Sequence, residues 1–396
     1  MRPEPALTRC GSADGGSSSA QRWLWATVSL TAGAFVIAAA FAPSGSAAPD
    51  RGLAWVLFAG SSAHVASTGW LYTLRDVCSY AVSHPWRFIR VPVLLMIAVA
   101  AVAAALTPTA MTWLLLPFFA WQFFHFAKQN LGMTALAAMT AGVPPLQAAE
   151  RRALITSGVA GIGALMARPA LLQVRVDPGL GALFPLSAAA MAGAVAVGVI
   201  LLARRAPAQR PRGFCVMYLM GLFFSVPVFV FASPYAAVGG MTIAHGMQYL
   251  LLVSLVGAGG SGEAGRAPRL AVLCNVALIG GAVLAVASHL HSGGTAMRFV
   301  FGAYLGTVMA HFVVDAGLWR LRDPFPRAFL ARRVPYLMRR APETASAVRD
   351  SSGDTMATGI TARCSRRWGD PVKHKSFWLR KTSVPCCDPG TGYSRT

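Results

Sequence analysis

Long apolar stretches, separated by short polar segments, follow one another along most of the chain. A helix needs about 20 apolar residues to cross a bilayer, and ten stretches approach or reach that length. The fifth is the shortest. The pattern predicts an all-α, polytopic transmembrane helix bundle of about ten spans. The predicted limits are 23–42, 53–74, 88–107, 110–136, 152–168, 184–203, 214–232, 236–256, 270–288 and 297–319.

The two ends of the chain differ from this apolar core. Residues 1–21 are rich in glycine and serine, and we predict a disordered N-terminal segment there. Residues 22–342 form the predicted transmembrane helical domain. Residues 343–396 are polar, carry three of the four lysines and show no helical or strand periodicity. We therefore predict a basic, disordered tail.

Composition supports a membrane protein. Charged residues make up only 12% of the 396 residues, about half the fraction typical of soluble domains, and the mean hydropathy is +0.53. The net charge of +21 comes from arginines and lysines in loops and in the tail. The loops are too short for a nucleic-acid-binding module, so we predict no nucleic-acid partner and expect contacts with anionic membrane lipids instead.

The arginines of the loops predict the orientation of the spans, because cytoplasmic loops are enriched in basic residues. With a cytoplasmic N-terminus, most of them fall inside, which predicts two cytoplasmic termini and a multi-pass location in the bacterial inner membrane. The alternative that the first span is a cleaved signal peptide stays open, since small residues follow it at 45–48. The predicted inside arginines are Arg75, Arg87, Arg90, Arg151, Arg152, Arg204, Arg205, Arg210, Arg212, Arg266 and Arg269; those outside are Arg51, Arg168, Arg175 and Arg298.

Four histidines lie near the middle of the second, fourth, eighth and tenth predicted spans, all of which run from outside to inside. They are His64, His125, His245 and His311. Each is followed about one helical turn later by another polar residue: Thr68, Gln129, Gln248 or Tyr249, and Asp315. An imidazole in hydrocarbon is costly without a partner, so four at one depth predict a shared polar centre.

A metal ion is the occupant that this residue set favours. Several imidazoles beside one carboxylate are a common ligand set for non-haem iron. We predict His64, His125, His245 and His311 as ligands and Asp315 as a ligand or the acceptor that orients an imidazole. Asp315 and Tyr249 are the candidate catalytic residues, and Gln129 and Gln248 the candidate groups that hold the cofactor's ligands or water. Axial ligation of a haem by two of the histidines stays an alternative.

Four sequence blocks contain the midplane histidines: AHVASTGWLY (63–72), WQFFHFAKQNLG (121–132), HGMQYL (245–250) and HFVVDAGLWRLR (311–322). The last three have the forms H-x-x-x-Q-x-x-G, H-x-x-Q-Y and H-x-x-x-D-x-x-x-W-[RK]. Together the blocks resemble the signatures of a family of uncharacterised bacterial polytopic membrane proteins. A more distant, architectural likeness is to the Brp/Blh carotene-cleaving dioxygenases, which implies iron held by intramembrane histidines. No motif of those enzymes matches residue by residue, so carotene is not predicted as substrate.

These observations predict an integral-membrane, metal-dependent oxidoreductase, with non-haem iron, that acts on a lipid or isoprenoid. Its partners would be membrane lipids, an apolar small-molecule substrate and a reductase. Two other classes stay open. One is a transporter or proton-coupled membrane protein that uses the midplane His and Asp residues as a relay. The other is a haem-binding electron carrier.

Overall fold

The computed structural model describes residues 14–43, 48–259 and 265–338, and within these ranges the chain is helical and contains no strand. Among the described residues, seven helices are long and apolar enough to cross a membrane, as is typical of a membrane protein. They are Ser18–Ala40, Trp86–Ala105, Pro108–Thr140, Leu183–Arg204, Tyr235–Ala258, Arg266–Ser292 and Thr295–Leu318.

Several of these long helices combine α-helical and π-helical segments. The α-helices are α1 Asp14–Ala40, α2 Arg51–Phe58, α3 His64–Leu71, α4 Arg75–Ser83, α5 Val91–Ala105, α6 Pro108–Thr140, α7 Ala148–Ala167, α8 Leu183–Arg204, α9 Arg212–Phe223, α10 Pro227–Val230, α11 Gly240–Ala258, α12 Arg266–Asn275, α13 Gly281–Ser288, α14 Thr295–Leu318 and α15 Pro324–Arg333. The π-helical segments are Ala59–Ala63, Trp86–Arg90, Tyr235–Gly239 and Val276–Gly280. Such segments are often found at functional sites.

The other three predicted spans are also helical, but they do not have the length and hydropathy of the seven. The stretch from Arg51 to Leu71 carries serines, a threonine and His64 in its second half. Helix α7 begins with Glu150 and two arginines, and α9 ends at Phe223, before the short α10. The count of ten spans therefore depends on segments that are polar or interrupted.

Some predicted boundaries fall at or beyond the edge of the described residues. Helix α1 begins at Asp14, earlier than the predicted start at 23, because a helix lengthens easily once its apolar part has formed. The remainder of the predicted N-terminal segment, residues 1–13, lies outside the described residues. So do residues 44–47 of the possible cleavage site and the predicted tail, 343–396.

Small residues allow the helices that carry the histidines to approach one another closely. A Cβ atom added at Gly60 would lie 2.5 Å from Cα of Ile243 on α11, and one added at Gly246 would collide with the carbonyl group of Gly60. On the other side, a Cβ at Gly281 would lie 2.8 Å from Cα of Ala63. The π-helical segment before His64 is thus held between α11 and α13 through direct backbone contact.

Helix α14, which carries His311, packs along α5 in the same manner. Gly302 and Gly306 lie one turn apart on α14, and a Cβ at Gly306 would lie 2.5 Å from Cα of Met96. A Cβ at Gly302 would lie 2.6 Å from that of Ala103. Small residues spaced four apart are a common way for helices to associate in lipid, where van der Waals packing replaces the hydrophobic effect.

Candidate metal centre

The four midplane histidines come together in the interior of the bundle, although they lie on four different helices: α3, α6, α11 and α14. Their rings form a closed circuit in which each ring meets the next edge to face. The distances between ring centroids are 4.9 Å for His64–His245, 5.0 Å for His125–His245, 5.1 Å for His125–His311 and 5.1 Å for His64–His311. The sequence prediction that these residues share one centre agrees with this arrangement.

Most of the ring nitrogens of these histidines have no hydrogen-bonding partner in the described part of the chain. The side chains are buried, with 1–8% of their surface exposed. A buried polar atom without a partner costs about 1–3 kcal/mol, so native proteins rarely leave several of them together. The unpartnered nitrogens are both of His64, both of His245, Nε2 of His125 and Nε2 of His311.

A hydrogen-bonded chain fixes which nitrogen of His311 carries the proton. The Tyr249 hydroxyl donates to Oδ1 of Asp315 at 3.0 Å, which uses its only proton. The Thr68 hydroxyl must therefore donate to the Tyr249 oxygen at 2.8 Å and accept from Nδ1 of His311 at 2.7 Å. When Asp315 is ionised, His311 is consequently protonated on Nδ1, and the lone pair on its Nε2 is available to a metal ion.

Asp315 places a carboxylate oxygen beside two of these imidazoles. Its Oδ2 lies 3.6 Å from Nε2 of His311 and 3.9 Å from Nε2 of His125, and it has no hydrogen-bond donor in the described residues. Both distances exceed hydrogen-bonding range. They match the separation of about 3.0–4.2 Å between ligand atoms whose bonds to one ion are about 2.1 Å long. A carboxylate oxygen facing an imidazole lone pair is unfavourable unless a proton or a metal ion is shared between them.

Two overlapping sets of side chains could each hold a metal ion. One consists of His64, His245 and His311, and the other of His125, His311 and Asp315; within each set the ligand atoms lie within 4.8 Å of one another. The sets share His311, whose Nδ1 is occupied by Thr68. Because only Nε2 of His311 remains, the arrangement fits one ion with several ligands better than two ions.

Aromatic rings cover two of the imidazoles. Phe126 stacks on His245 with ring centroids 4.0 Å apart, and Phe312 stacks on His125 at 4.5 Å. Trp121 in turn lies against Phe312, at 5.9 Å. Stacking fixes the ring planes, so the nitrogens of His125 and His245 are held in position by apolar contacts and not by hydrogen bonds.

Thr68, Gln129 and Gln248, which follow the histidines by about one helical turn, form hydrogen bonds with other helices. Thr68 bonds to His311 and not to His64 on its own helix. Gln129 donates to the backbone carbonyl of His245 at 2.9 Å and to Gln248 at 3.2 Å. Gln248 donates to Thr31 of α1 at 2.9 Å. Gln129 and Gln248 therefore link helices around the centre, and neither forms a hydrogen bond with an imidazole nitrogen in the described residues.

The other three histidines in the described part of the chain differ from the four midplane histidines in burial. His84, His289 and His291 are exposed in loops, and His84 stacks on Tyr80. His374 lies outside the described residues. Burial thus separates the four midplane histidines from the rest, as their sequence context predicts.

Some residues that build the centre were not apparent from the sequence. In the sequence, Thr31 does not stand out within its apolar span, and Gly60 and Gly246 do not stand out among the 39 glycines. The available signal was that Gly246 directly follows His245 and that Gly60 stands four residues before His64. Comparison with protein-family models, curated proteins and solved structures finds no match to this chain.

Proposed function

We propose that the protein is a membrane-embedded metalloprotein in which His64, His125, His245 and His311 hold one non-haem iron ion, with Asp315 as a fifth ligand or an acceptor beside it. The observation that carries the proposal is the group of buried imidazole nitrogens without partners. A purely structural cluster would satisfy these atoms with hydrogen bonds. Metal coordination satisfies them with lone pairs and explains why they face a carboxylate.

The residue set is compatible with iron by its chemistry. Imidazoles with one carboxylate suit divalent iron, whereas a thiolate-preferring ion would call for cysteine, and Cys78, Cys215 and Cys274 lie elsewhere. The imidazole rings meet edge to face about 5 Å apart, which leaves no slot for a porphyrin between them. This packing favours a bare ion over haem.

We further propose that the centre performs an oxidoreduction on a lipid or isoprenoid. Bound iron would supply redox and Lewis-acid chemistry. The protein's own residues would exclude water through Phe126 and Phe312, fix the His311 tautomer through Thr68, and hold a proton on the Tyr249 hydroxyl beside Asp315. An apolar substrate would reach the centre from the surrounding lipid, and electrons would come from a reductase partner.

The proposal includes the full topology expected from the sequence: ten spans, both termini in the cytoplasm and a location in the bacterial inner membrane. The segments 51–71, 148–167 and 212–230 would then cross as well, although their hydropathy is lower. The first of these contains His64, so its polar content would serve the centre. Reporter fusions after residues 107 and 233 should report outside, and fusions after 145 and 208 inside. A fusion at 208 that reports outside would contradict this topology.

A proton relay is the second candidate function, and one observation favours it. The chain from His311 through Thr68 and Tyr249 to Asp315 is an unbroken series of hydroxyl groups between two titratable side chains. Intramembrane proton pathways use such series. In that case the protein would carry protons or a coupled solute, and no metal would be needed.

Metal analysis of detergent-purified protein distinguishes these functions. We expect about one iron per chain and no Soret absorbance. His64→Ala, His125→Ala, His245→Ala and His311→Ala should each remove most of the iron, whereas the exposed controls His84→Ala and His289→Ala should retain it. Folded, metal-free protein that conducts protons in vesicles would favour the relay, and a Soret band would favour haem.

Thr68 provides a finer test of the same centre. Thr68→Val removes the hydroxyl that fixes the His311 tautomer, and loss of such a partner typically lowers metal affinity about 10–100-fold. Thr68→Ser keeps the hydroxyl and is the matched control. Equal iron affinity in the two variants would show that this hydrogen bond does not position a ligand.

A further inference from the structure

Lys128 is the only lysine among the residues that the structure describes, and it lies within the membrane-spanning helix Pro108–Thr140. Its side chain is exposed on the surface of the bundle, and within the described part of the chain it forms no hydrogen bond and no ion pair. It follows the middle residue of this helix, Phe124, by about 6 Å along the axis. In a bilayer centred on the helix, the hydrocarbon extends about 15 Å from the middle. A charged side chain at this depth is costly without a partner and is a common sign of a functional site.

The contacts of α6 show on which side of the helix Lys128 lies. Gln129 faces α11, where it donates to the backbone carbonyl of His245 at 2.9 Å. Trp121 faces α14, where its ring lies against Phe312. Lys128 follows Trp121 by seven residues, which is about two helical turns, so the two side chains project from the same side of α6. Lys128 therefore lies on the side of α6 that faces α14.

A groove between α6 and α14 leads from Lys128 to the histidine centre. His125 lies one turn before Lys128, is the most exposed of the four midplane histidines, and reaches to within 3.9 Å of Oδ2 of Asp315 on α14. Ala316, the next residue of α14, is exposed. Gly132, one turn after Lys128, is also exposed, and a Cβ atom there would have nothing within 4 Å. Exposed small residues on both helices thus leave this approach to the centre open to lipid.

The charge of Lys128 is not compensated within the described residues. Asp315 is the only acidic residue in α6 and α14. Its Oδ1 accepts from Tyr249, its Oδ2 faces His125 and His311, and it forms no ion pair with Lys128. The groove therefore combines apolar surface with one ammonium group beside the candidate metal centre. Such a surface is complementary to an amphiphile that has a single anionic group and an apolar chain.

The depth of Lys128 favours a carboxylate over the phosphate of a bilayer lipid. Phospholipid headgroups lie outside the hydrocarbon core, about 15 Å from its middle, and would have to be drawn inward against their hydration. A carboxyl group can enter the hydrocarbon in its neutral form and ionise beside the ammonium group, because a neighbouring cation favours the charged form. A fatty acid can therefore reach Lys128 at a lower cost than a phospholipid headgroup.

We propose that Lys128 binds the carboxylate of a long-chain fatty acid and places the acyl chain along His125 and Trp121. Lys128 is then a positioning residue, because a charge-assisted hydrogen bond fixes the carboxylate one helical turn from the centre. The part of the chain near the carboxyl end would lie beside His125. The assignment of fatty acids as the substrate class of the iron centre rests on the proposed function. Binding of the carboxylate itself does not require iron.

Binding of radiolabelled palmitate to the full-length protein in lipid nanodiscs tests the proposal. Palmitate should bind saturably, and cetyl alcohol, which has the same chain without the carboxylate, should not displace it. Lys128→Gln should weaken palmitate binding about tenfold or more, as expected for the loss of a charge-assisted hydrogen bond. Lys128→Arg keeps the charge and should retain most of the affinity. Arg327→Gln removes an exposed charge from α15 and, as the matched control, should bind palmitate like the native protein.

Palmitate with a nitroxide near its carboxyl end tests where the chain lies. In the iron-loaded protein, the nearby iron should broaden the nitroxide signal. In the iron-free protein, the nitroxide should quench the fluorescence of Trp121, and Trp121→Phe should remove that share of the quenching. Lys128→Gln should reduce both effects at a palmitate concentration that saturates the native protein's site.

Three results would overturn the proposal. Lys128→Gln could bind palmitate like Arg327→Gln, cetyl alcohol could displace palmitate as well as palmitate itself, or bound nitroxide could neither be broadened by iron nor quench Trp121. Binding of phosphatidic acid through Lys128, without binding of palmitate, would also overturn it and assign the lysine to a lipid headgroup. Iron analysis separates this proposal from the proposed function. Iron-free protein that binds palmitate through Lys128 would contradict the iron centre alone, and iron-loaded protein that binds no palmitate would contradict the fatty-acid site alone.

Discussion

Two buried clusters that contain titratable side chains, both among the residues that the structure describes, are built in opposite ways. In the first, Arg205 donates through Nε to Oε1 of Glu150 at 2.6 Å and through Nη2 to Oε2 at 2.7 Å. Its guanidinium also reaches the carbonyls of Pro144 and Pro145, and Glu150 accepts from the backbone of Gln147. In the second, the histidine centre, six ring nitrogens have no hydrogen-bonding partner among the described residues.

The difference indicates what each cluster is for. The Glu150–Arg205 pair satisfies itself, and its hydrogen bonds raise the pKa of Arg205, so the charge is secure and the pair links α7 to the end of α8. The histidine centre is satisfied only if something else is supplied. Buried side chains that complete each other's hydrogen bonds stabilise a fold, whereas buried side chains that leave lone pairs facing one another indicate a ligand.

The largest expected effect comes from breaking the self-satisfied pair. Arg205→Met leaves the carboxylate of Glu150 buried without its partner, which typically costs about 3–5 kcal/mol of stability. The iron content of whatever protein remains folded should be unchanged. Unfolding in denaturant measures the first quantity, and metal analysis the second.

The double variant Glu150→Leu/Arg205→Met is the control for this prediction. Replacing both partners by apolar residues is often neutral, so most of the lost stability should return. A double variant as unstable as Arg205→Met would show that the pair contributes more than its mutual charge.

Substitution of a histidine of this centre should have the opposite effect on the stability of the metal-free protein. In metal-free protein, His245→Leu removes two buried nitrogens without partners, so stability should stay equal or rise, by about 1–3 kcal/mol. With iron at 1,000 times its dissociation constant, the native protein should gain about 4 kcal/mol and the variant nothing. Unfolding temperatures with and without iron give both values. A variant that is less stable than the native protein without metal would mean that His245 has a structural role.

Much of this centre was accessible from the sequence because it depends on residue type and depth. An imidazole in an apolar helix is rare enough that four of them predicted a shared centre, and Asp315 and Tyr249 followed from helical spacing. The partners across helices were not predictable. Which helix Thr68 or Gln248 reaches depends on helix rotation and neighbours, and a single sequence contains neither. For the same reason the pairing of Glu150 with Arg205, 55 residues apart, was not predicted, and Arg205 was interpreted only as one of the inside arginines.

A substitution that moves two helices apart tests how accurately the histidine ligands must be positioned. Gly246→Ala should force α11 away from the segment before His64, at a cost of about 1–3 kcal/mol, and should weaken iron binding. Gly132→Ala is the matched control, because a Cβ there has nothing within 4 Å. Iron titration and thermal unfolding of the two variants measure the difference. Equal iron affinity would show that the separation of His64 and His245 is not critical.

The smallest effects are expected from deletion of residues 343–396, whose polar composition predicts no packed core. The deletion should leave membrane insertion and iron content unchanged and should alter stability by no more than about 0.5 kcal/mol. Expression in membranes followed by metal analysis checks this. Loss of folded protein on deletion would show that the tail packs against the bundle.

The contact between Gly246 and Gly60 determines which second mutations can suppress a defect at position 246. The three atoms nearest to a Cβ at position 246 all belong to the backbone of Gly60. No substitution elsewhere can make a carbonyl group smaller, so second-site suppressors of Gly246→Ala should be rare, and a smaller residue at Ile243 should not rescue it. Defects at Gly198, where the obstacle is the flexible side chain of Leu222, should by contrast be suppressed readily by Leu222→Ala. A screen for revertants would therefore distinguish Gly198, where a neighbouring side chain limits the space, from Gly246, where two backbones are in direct contact.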